Sequence, residues 1–190
     1  MAGATVDRRA VRTKRKLKEV LINLLQTREL EKISIRELAE LADISRGTFY
    51  LHFTDIFDLY QAVEDDVVNG ITERVDKSAV PADEFAIETM MESILEYLTQ
   101  HIDACEALLR TDSASFLAHV FERNKPSKLN AWEAVMGTDE HIQEYAYVFV
   151  SYGFAGILRT WIADGRRESP KQIAKIVNQL LAGYRMSLPS

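Results

Sequence analysis

The chain has 190 residues, 47% hydrophobic and 27% charged, with a single cysteine, Cys105. This excludes a disulfide-stapled secreted module and a disordered tail, and leaves one large domain or a small domain joined to a larger one. The net charge of −6 conceals an asymmetry: residues 1–60 hold 11 Lys+Arg against 9 Asp+Glu, and residues 61–190 hold 12 against 20. Arg8, Arg9, Arg12, Lys14, Arg15, Lys16 and Lys18 crowd the N-terminal end beside one anion, Asp7. An anionic partner is therefore expected at that end, away from the acidic body. The N-terminus lacks the apolar core of a secretory signal, and with one cysteine a reducing, cytoplasmic location is expected.

Leu17, Leu21, Leu24 and Leu25 recur at helical spacing and predict a helix from about Asp7 to Gln26. Its cations lie at the N-terminal end, where the helix dipole disfavours them. A use outside the helix, such as holding phosphates, would account for that placement. Ser34 with Glu37 has capping-box spacing, and Ile35, Leu38, Ala39 and Ala42 define one face of a short helix. Ser45 can cap a further helix over residues 46–53, and Ile44 and Phe49 have the spacing of a hydrophobic staple. Between the two helices, Asp43 suits a turn that needs positive φ. Two short helices so joined make a helix-turn-helix.

The pattern resumes near Thr54 and runs through Leu59, Val63, Val67 and Ile71 to about Val75, until Pro81 breaks it. Helices are then expected from about Asp83 to Leu98, from Ile102 to Arg110 and from Ser113 to Asn124. Residues 125–139 predict a loop with a turn near Trp132, followed by a long helix from Thr138 or Asp139 to Asp164. Ser169-Pro170-Lys171-Gln172 opens a last helix, to about Met186, with a cap, a first-turn proline and a capping-box glutamine. No alternating pattern or internal repeat occurs. The chain reads as all-α with about nine helices. In the apolar stretch 144–162, Arg159 and the flanking Glu140, Glu144 and Asp164 are expected to leave too short a core for a membrane span of about 20 residues.

On a helix over 45–53, Phe49 and Phe53 share one face, Gly47, Thr48 and Leu51 the other, and Arg46 and Tyr50 flank them. A glycine in an exposed helix costs roughly 1 kcal/mol relative to alanine, so Gly47 suggests close approach by a partner. Arg46 stands where a guanidinium can bond guanine, Thr48 can meet a phosphate or a thymine methyl, and Tyr50 and His52 offer polar tips to phosphates.

The string IRELAELADISRGTFYLHFTDIFDLY, above all its GTFYxHF core, resembles the DNA-binding segment of the TetR (tetracycline-repressor) family of bacterial regulators. The resemblance covers about residues 10–65. It implies an all-α homodimer with a helix-turn-helix DNA-binding domain over 1–55 and a ligand-binding and dimerisation domain over 56–190. By position it implies DNA contacts at Ser34, Arg36, Ser45, Arg46, Gly47, Thr48, Tyr50 and His52. The basic cluster, through Arg12, Lys14, Arg15 and Lys16, is expected to hold phosphates and set the salt dependence. The chain departs from the family pattern with Asp43 in place of a glycine and Ile56 in place of a phosphate-binding lysine.

Further along, YVFVSYGFAGILRTWIADGRRESPKQIA resembles the C-terminal region of regulators related to the dihydroxyacetone-kinase operon activators. The helix over 140–164 is apolar on nearly every face from Tyr145 to Ile157, which calls for burial all round, on the core and on a partner chain. Phe149, Tyr152, Gly153, Gly156, Ile173, Ile176, Val177 and Leu180 are the candidate dimer interface. Met90, Met91, Ile94, Tyr97, Phe116, Val120, Phe121, Trp132, Tyr147 and Phe154 are candidates for an effector pocket, though such a stripe also serves as plain core.

No catalytic motif, phosphate loop or cofactor signature occurs. His101 and Cys105 share a face but supply only two of the ligands a metal needs. The reading is a non-enzymatic, cytoplasmic transcriptional regulator without metal or cofactor. It binds a palindromic double-stranded operator as a homodimer, most simply as a repressor released by a small-molecule effector, with no membrane partner. The alternatives are an activator or co-regulator governed by a protein, or a helical interaction module that has lost DNA binding.

Overall fold

The computed structural model describes residues 3–78, 86–125 and 140–185. Among them the chain is all-α. Its helices are α1 (Gly3–Leu25), α2 (Ile35–Leu41), α3 (Arg46–Tyr50), α4 (Ile56–Ser78), α5 (Ala86–Gln100), α6 (Ile102–Arg123), α7 (Glu140–Ala163) and α8 (Pro170–Arg185), with a 3-10 turn at Leu30–Lys32. Asp112 (φ −151, ψ 83) interrupts α6. Its carboxylate accepts from Ser115 N at 3.0 Å and caps the second half, so the two helices expected on either side of this point run on as one broken rod. The expected loop over 125–139, with Trp132, lies outside the described residues apart from Lys125.

Two compact units divide the chain: residues 1–67 with 101–116, and residues 68–100 with 117–190. In the first, Leu17, Leu21 and Leu25 of α1, Leu38 and Ala39 of α2, Phe49, Phe53, and Leu59 and Val63 of α4 are buried. The leucines of α1 lie on one stripe because they recur at i, i+4, i+8. Lys18 leaves the basic cluster: its ammonium bonds the Ala62 carbonyl at 2.9 Å and the Asp66 carboxylate at 2.6 Å, tying α1 to α4. The 3-10 turn had no periodic signal to announce it. It is held by Arg28, which pairs with Glu37 and donates to Lys32 O at 2.8 Å. The capping box of α2 is therefore only half formed. Ser34 Oγ accepts from Glu37 N at 3.2 Å, but the Glu37 carboxylate is taken by Arg28.

In the second unit, α5 packs on α8, and Asn178 Nδ2 donates to Glu88 Oε2 at 3.1 Å. The capping box of α8 is complete: Ser169 N donates to Gln172 Oε1 at 2.8 Å, and Gln172 N to Ser169 Oγ at 3.3 Å. Gly165, at φ 76, closes the end of α7 with Gly165 N→Ile162 O and Arg166 N→Trp161 O bonds. Helix α7 buries Ala146, Tyr147, Val150, Ala155, Leu158 and Trp161 and leaves Tyr145, Val148, Phe149 and Tyr152 exposed. It is thus buried on one side within the chain, not all round. Contrary to expectation, Glu144–Ala163 is long and apolar enough to cross a membrane by length and composition. A packed core helix passes the same test.

Gly70 on α4 has a local reason to be glycine. A Cβ there would stand 2.1 Å from Cζ of Tyr97, whose ring lies across the helix with the Arg74 guanidinium 4.0 Å from its centroid. Gly70→Ala is expected to lower stability by about 1–3 kcal/mol, because overpacking displaces a buried ring. Urea unfolding monitored by circular dichroism measures this, and an unchanged midpoint would count against the packing described.

Candidate nucleic-acid interface

Helices α2 and α3 meet through a turn that the backbone closes by itself. Asp43 N donates to Glu40 O at 3.1 Å and Ile44 N to Ala39 O at 3.0 Å, a Schellman pair with Asp43 at φ 55. The positive φ expected of this aspartate is present. Ser45 then caps α3, its Oγ accepting from Thr48 N at 3.0 Å. Helix α3 has only five residues, Arg46–Tyr50, shorter than the expected 46–53. His52 therefore stands in the turn after the helix, where its N–H donates to Phe49 O at 2.9 Å.

Phe49 and Phe53 are the anchors. Both are buried, with ring centroids 6.0 Å apart, and Tyr50 meets the Phe49 ring edge-on at 5.5 Å. The opposite face is open: Ser45, Arg46, Gly47, Tyr50 and Leu51 are exposed, and Thr48 and His52 are half-buried. Ser45 Oγ and Thr48 Oγ1 lie 2.9 Å apart, so the Thr48 hydroxyl already has a partner and its methyl is the freer group. Arg46 makes no ion pair among the described residues. Gly47 has no structural need to be glycine, since a Cβ would meet nothing nearer than Ser45 Oγ at 3.6 Å.

The other candidate contacts divide. Ser34 and Arg36 are exposed at the start of α2, with Arg36 Nε bonded to Glu40 Oε1 at 2.9 Å in a surface pair. That bond raises the Arg36 pKa above its ordinary value. On α1, the Lys14 ammonium lies 5.9 Å from the centroid of Phe53, at the edge of cation–π range, which places the basic helix beside the end of the recognition element. Arg15 pairs with Glu19 at 3.4 Å on the surface, while Arg12 and Lys16 are exposed. Ile56, the departure from the family pattern, is buried. The start of α4 is sealed by carboxylates: Asp58 N donates to Asp55 Oδ1, and Thr54 N to Asp58 Oδ2, each at 2.8 Å. One of the first-turn donors that this helix start could offer a phosphate, Asp58 N, is thereby taken by a carboxylate.

Of the candidate pocket residues, Met90, Met91, Ile94, Tyr97 and Tyr147 are buried in the second unit, Val120, Phe121 and Phe154 are half-buried there, and Phe116 is buried in the first. Trp132 lies outside the described residues. Burial pushes the Tyr147 hydroxyl up to about 12, and it donates to Phe121 O at 2.6 Å. A described cleft of about 350 Å³ lies elsewhere, lined by Thr27, Arg28, Glu29, Leu30, Glu31, Arg110 and Thr111, none of which sequence reasoning had singled out. Arg110 caps the C-terminus of α1 at the Leu25 carbonyl, and Gln26 Nε2 bonds Asp103 O at 2.7 Å. No periodicity could have foretold these long-range bonds. Burial pushes the Cys105 thiol up to about 12.

Of the candidate interface residues, Phe149, Tyr152, Gly153, Gly156, Ile176 and Leu180 are exposed. Ile173 and Val177 are the correction: both are buried within the chain, because they lie on the inward stripe of α8.

An all-α chain carrying a helix-turn-helix with an open arginine-bearing face has the architecture of a DNA-binding regulator. The tetR family model of bacterial regulatory proteins matches residues 19–63, and a transcriptional regulator C-terminal region model matches residues 86–183. The chain belongs to the TetR family of transcriptional regulators. It is 23% identical over 177 residues to the uncharacterized HTH-type transcriptional regulator YxbF of Bacillus subtilis (strain 168), covering 89% of this chain and 44% of that protein. The chain thus spans under half the length of that curated relative. A TetR regulator from Streptococcus agalactiae 2603V shares the fold (TM-score 0.68, 20% identity, 94% of this chain and 98% of that one). So does the dihydroxyacetone kinase operon activator DhaS (TM-score 0.60, 16% identity, 94% and 98%).

Gly47→Ala should separate folding from binding. Alanine suits the helix better, so stability should rise by about 0.4–1 kcal/mol, while affinity for specific DNA falls. A variant that binds as tightly as the parent in a gel shift would remove the case for close approach at this residue.

Proposed function

We propose that the chain is a ligand-responsive repressor that binds a palindromic operator as a homodimer in the cytoplasm. The observation that carries this reading is the open face of α3, where an arginine without an ion pair among the described residues stands beside a glycine the protein does not itself require. Residues 1–55 read DNA: Arg46 a base, Thr48 a thymine methyl, Ser34, Arg36, Ser45, Tyr50 and His52 the backbone or nearby edges, and Arg12, Lys14, Arg15 and Lys16 phosphates. Arg36 and Arg15 exchange exposed carboxylate partners for phosphate at little cost, since such surface pairs are worth about 0–1 kcal/mol.

Residues 56–190 carry dimerisation and effector binding. Phe149 and Tyr152 on α7, with Gly153 and Gly156 open beside them, and Ile176 and Leu180 on α8 are exposed apolar surface suited to a second copy. Pairing two copies presents two recognition helices about 34 Å apart to successive major grooves. An effector among Met90, Met91, Ile94, Tyr147 and their neighbours would act by shifting that spacing. The bonds of Arg110 and Gln26 give the first half of α6 a direct grip on α1, the helix that supports the reading head.

Arg46→Ala should weaken binding to a site selected from random DNA by roughly 1–3 kcal/mol and relax the preference at one base position. A titration unchanged in both respects would exclude the base-reading role. Phe149→Glu should place a charge in the apolar face and shift sedimentation from dimer to monomer, with helix content kept. A dimer of undiminished strength would place the interface elsewhere.

A further inference from the structure

The cations of α1 do not form one cluster. At about 100° per residue, Arg8, Arg9, Arg12, Arg15 and Lys16 fall within an arc of roughly 120°, and no other residue between 8 and 16 shares that arc. All five are exposed. The arc lies opposite the stripe on which Leu17, Leu21 and Leu25 are buried. Lys14 and Lys18 stand outside it, Lys14 beside Phe53 and Lys18 on Asp66 and Ala62 O. The first core residue of α1 among those described for burial is Leu17, so the stripe rides on turns of helix that precede the packed part.

We infer that this stripe binds the phosphates of duplex DNA flanking the half-site, and so lengthens the stretch of DNA each protomer holds. The inference rests on the reading of the chain as a DNA-binding regulator. The side of α1 that reaches the recognition element carries Lys14, so the stripe addresses phosphates beyond those beside the base-reading residues. From Arg8 to Lys16 the stripe is about 12 Å long, and a duplex presents one negative charge per roughly 1.7 Å of its axis. Over that length a duplex carries about seven charges on its two strands together, about half of them on one strand, so the five cations suffice for the phosphates within reach. The carboxylate bonded within the stripe, Glu19 on Arg15, forms a solvent-exposed pair at 3.4 Å that a phosphate readily replaces. A membrane surface is a poorer occupant, because no apolar side chain lies within the arc to enter it.

The test compares the full chain with a variant carrying R8Q, R9Q, R12Q, R15Q and K16Q. The probe is the duplex site selected from random DNA, either ending at its edges or extended on each side by a helical turn of about 10 base pairs. The parent should bind the extended probe at least about tenfold tighter at low salt, with the gap closing as salt rises. The variant should lose that gain, and its slope of log affinity against log salt should be shallower by about 2 to 4. K14Q should weaken binding to both probes alike. A variant that keeps the full gain and slope overturns the inference, and with it the phosphate roles of Arg12, Arg15 and Lys16, and leaves operator binding through the recognition helix standing. If no specific site can be selected, that function falls, and the slopes on a mixed-sequence duplex of the same length decide the stripe: a shallower variant slope supports it, equal slopes overturn it. Tighter stripe-dependent binding to a single-stranded RNA than to the duplex also overturns it. Circular dichroism and thermal melting of the variant should match the parent, since the five side chains are exposed.

Discussion

The reading head depends on one backbone constraint, the left-handed turn at Asp43. A helix of five residues has no stability of its own, since isolated helices below about 12 residues are marginal in water. What keeps α3 formed is its fixed entry from α2, the Ser45 cap and the burial of Phe49 and Phe53. Asp43 closes α2 with two backbone bonds and aims the chain so that those two rings enter the core and Arg46 and Gly47 do not. Most residues resist φ 55 for steric reasons. Aspartate tolerates it, so the turn works here with a side chain.

Two glycines illustrate how function can be distinguished from packing. Gly70 is required from within, because the Tyr97 ring occupies the space a methyl would need. Gly47 is not: its surroundings would accept a methyl, and the helix would gain by it. In the proposed function that clearance serves the DNA which the helix meets. The same reasoning applies in reverse to Ile56, Asp55 and Asp58. A buried isoleucine and two capping carboxylates make a sound start to α4 and a poor cradle for phosphate.

Much of this was legible in the sequence because it is local. Capping residues act within four positions, and Ser34, Ser45 and Ser169 each cap the helix expected of them. The stripe of α1 and the anchors of α3 follow from helical periodicity. What escaped is non-local or competitive. In sequence Lys18 belongs to the basic cluster, but a carboxylate and a carbonyl of α4 draw it inward. Glu37 has the spacing to complete a capping box, but Arg28 holds it. Ile173 and Val177 share the apolar stripe of α8 with no mark of which part faces inward, and the helix packing decides that. The apolar run of α7 could show that two faces need cover without showing how much of it the chain itself supplies.

Two of the three boundaries between compact units fall inside α4 and α6, and the third lies in the connection between α5 and α6. Residues 56–67 and 101–116 therefore contribute Ile56, Leu59, Val63, Cys105 and Leu108 to the burial of the unit that contains the helix-turn-helix. A fragment ending at residue 55 would leave Leu17, Leu21 and Phe49 without much of the apolar surface that shields them. The reading head is thus not a cassette that can be cut out and joined to another body. Exchanging it between regulators would mean carrying over the first half of α4 and the matching stretch of α6, and descent with modification would have to change all three together.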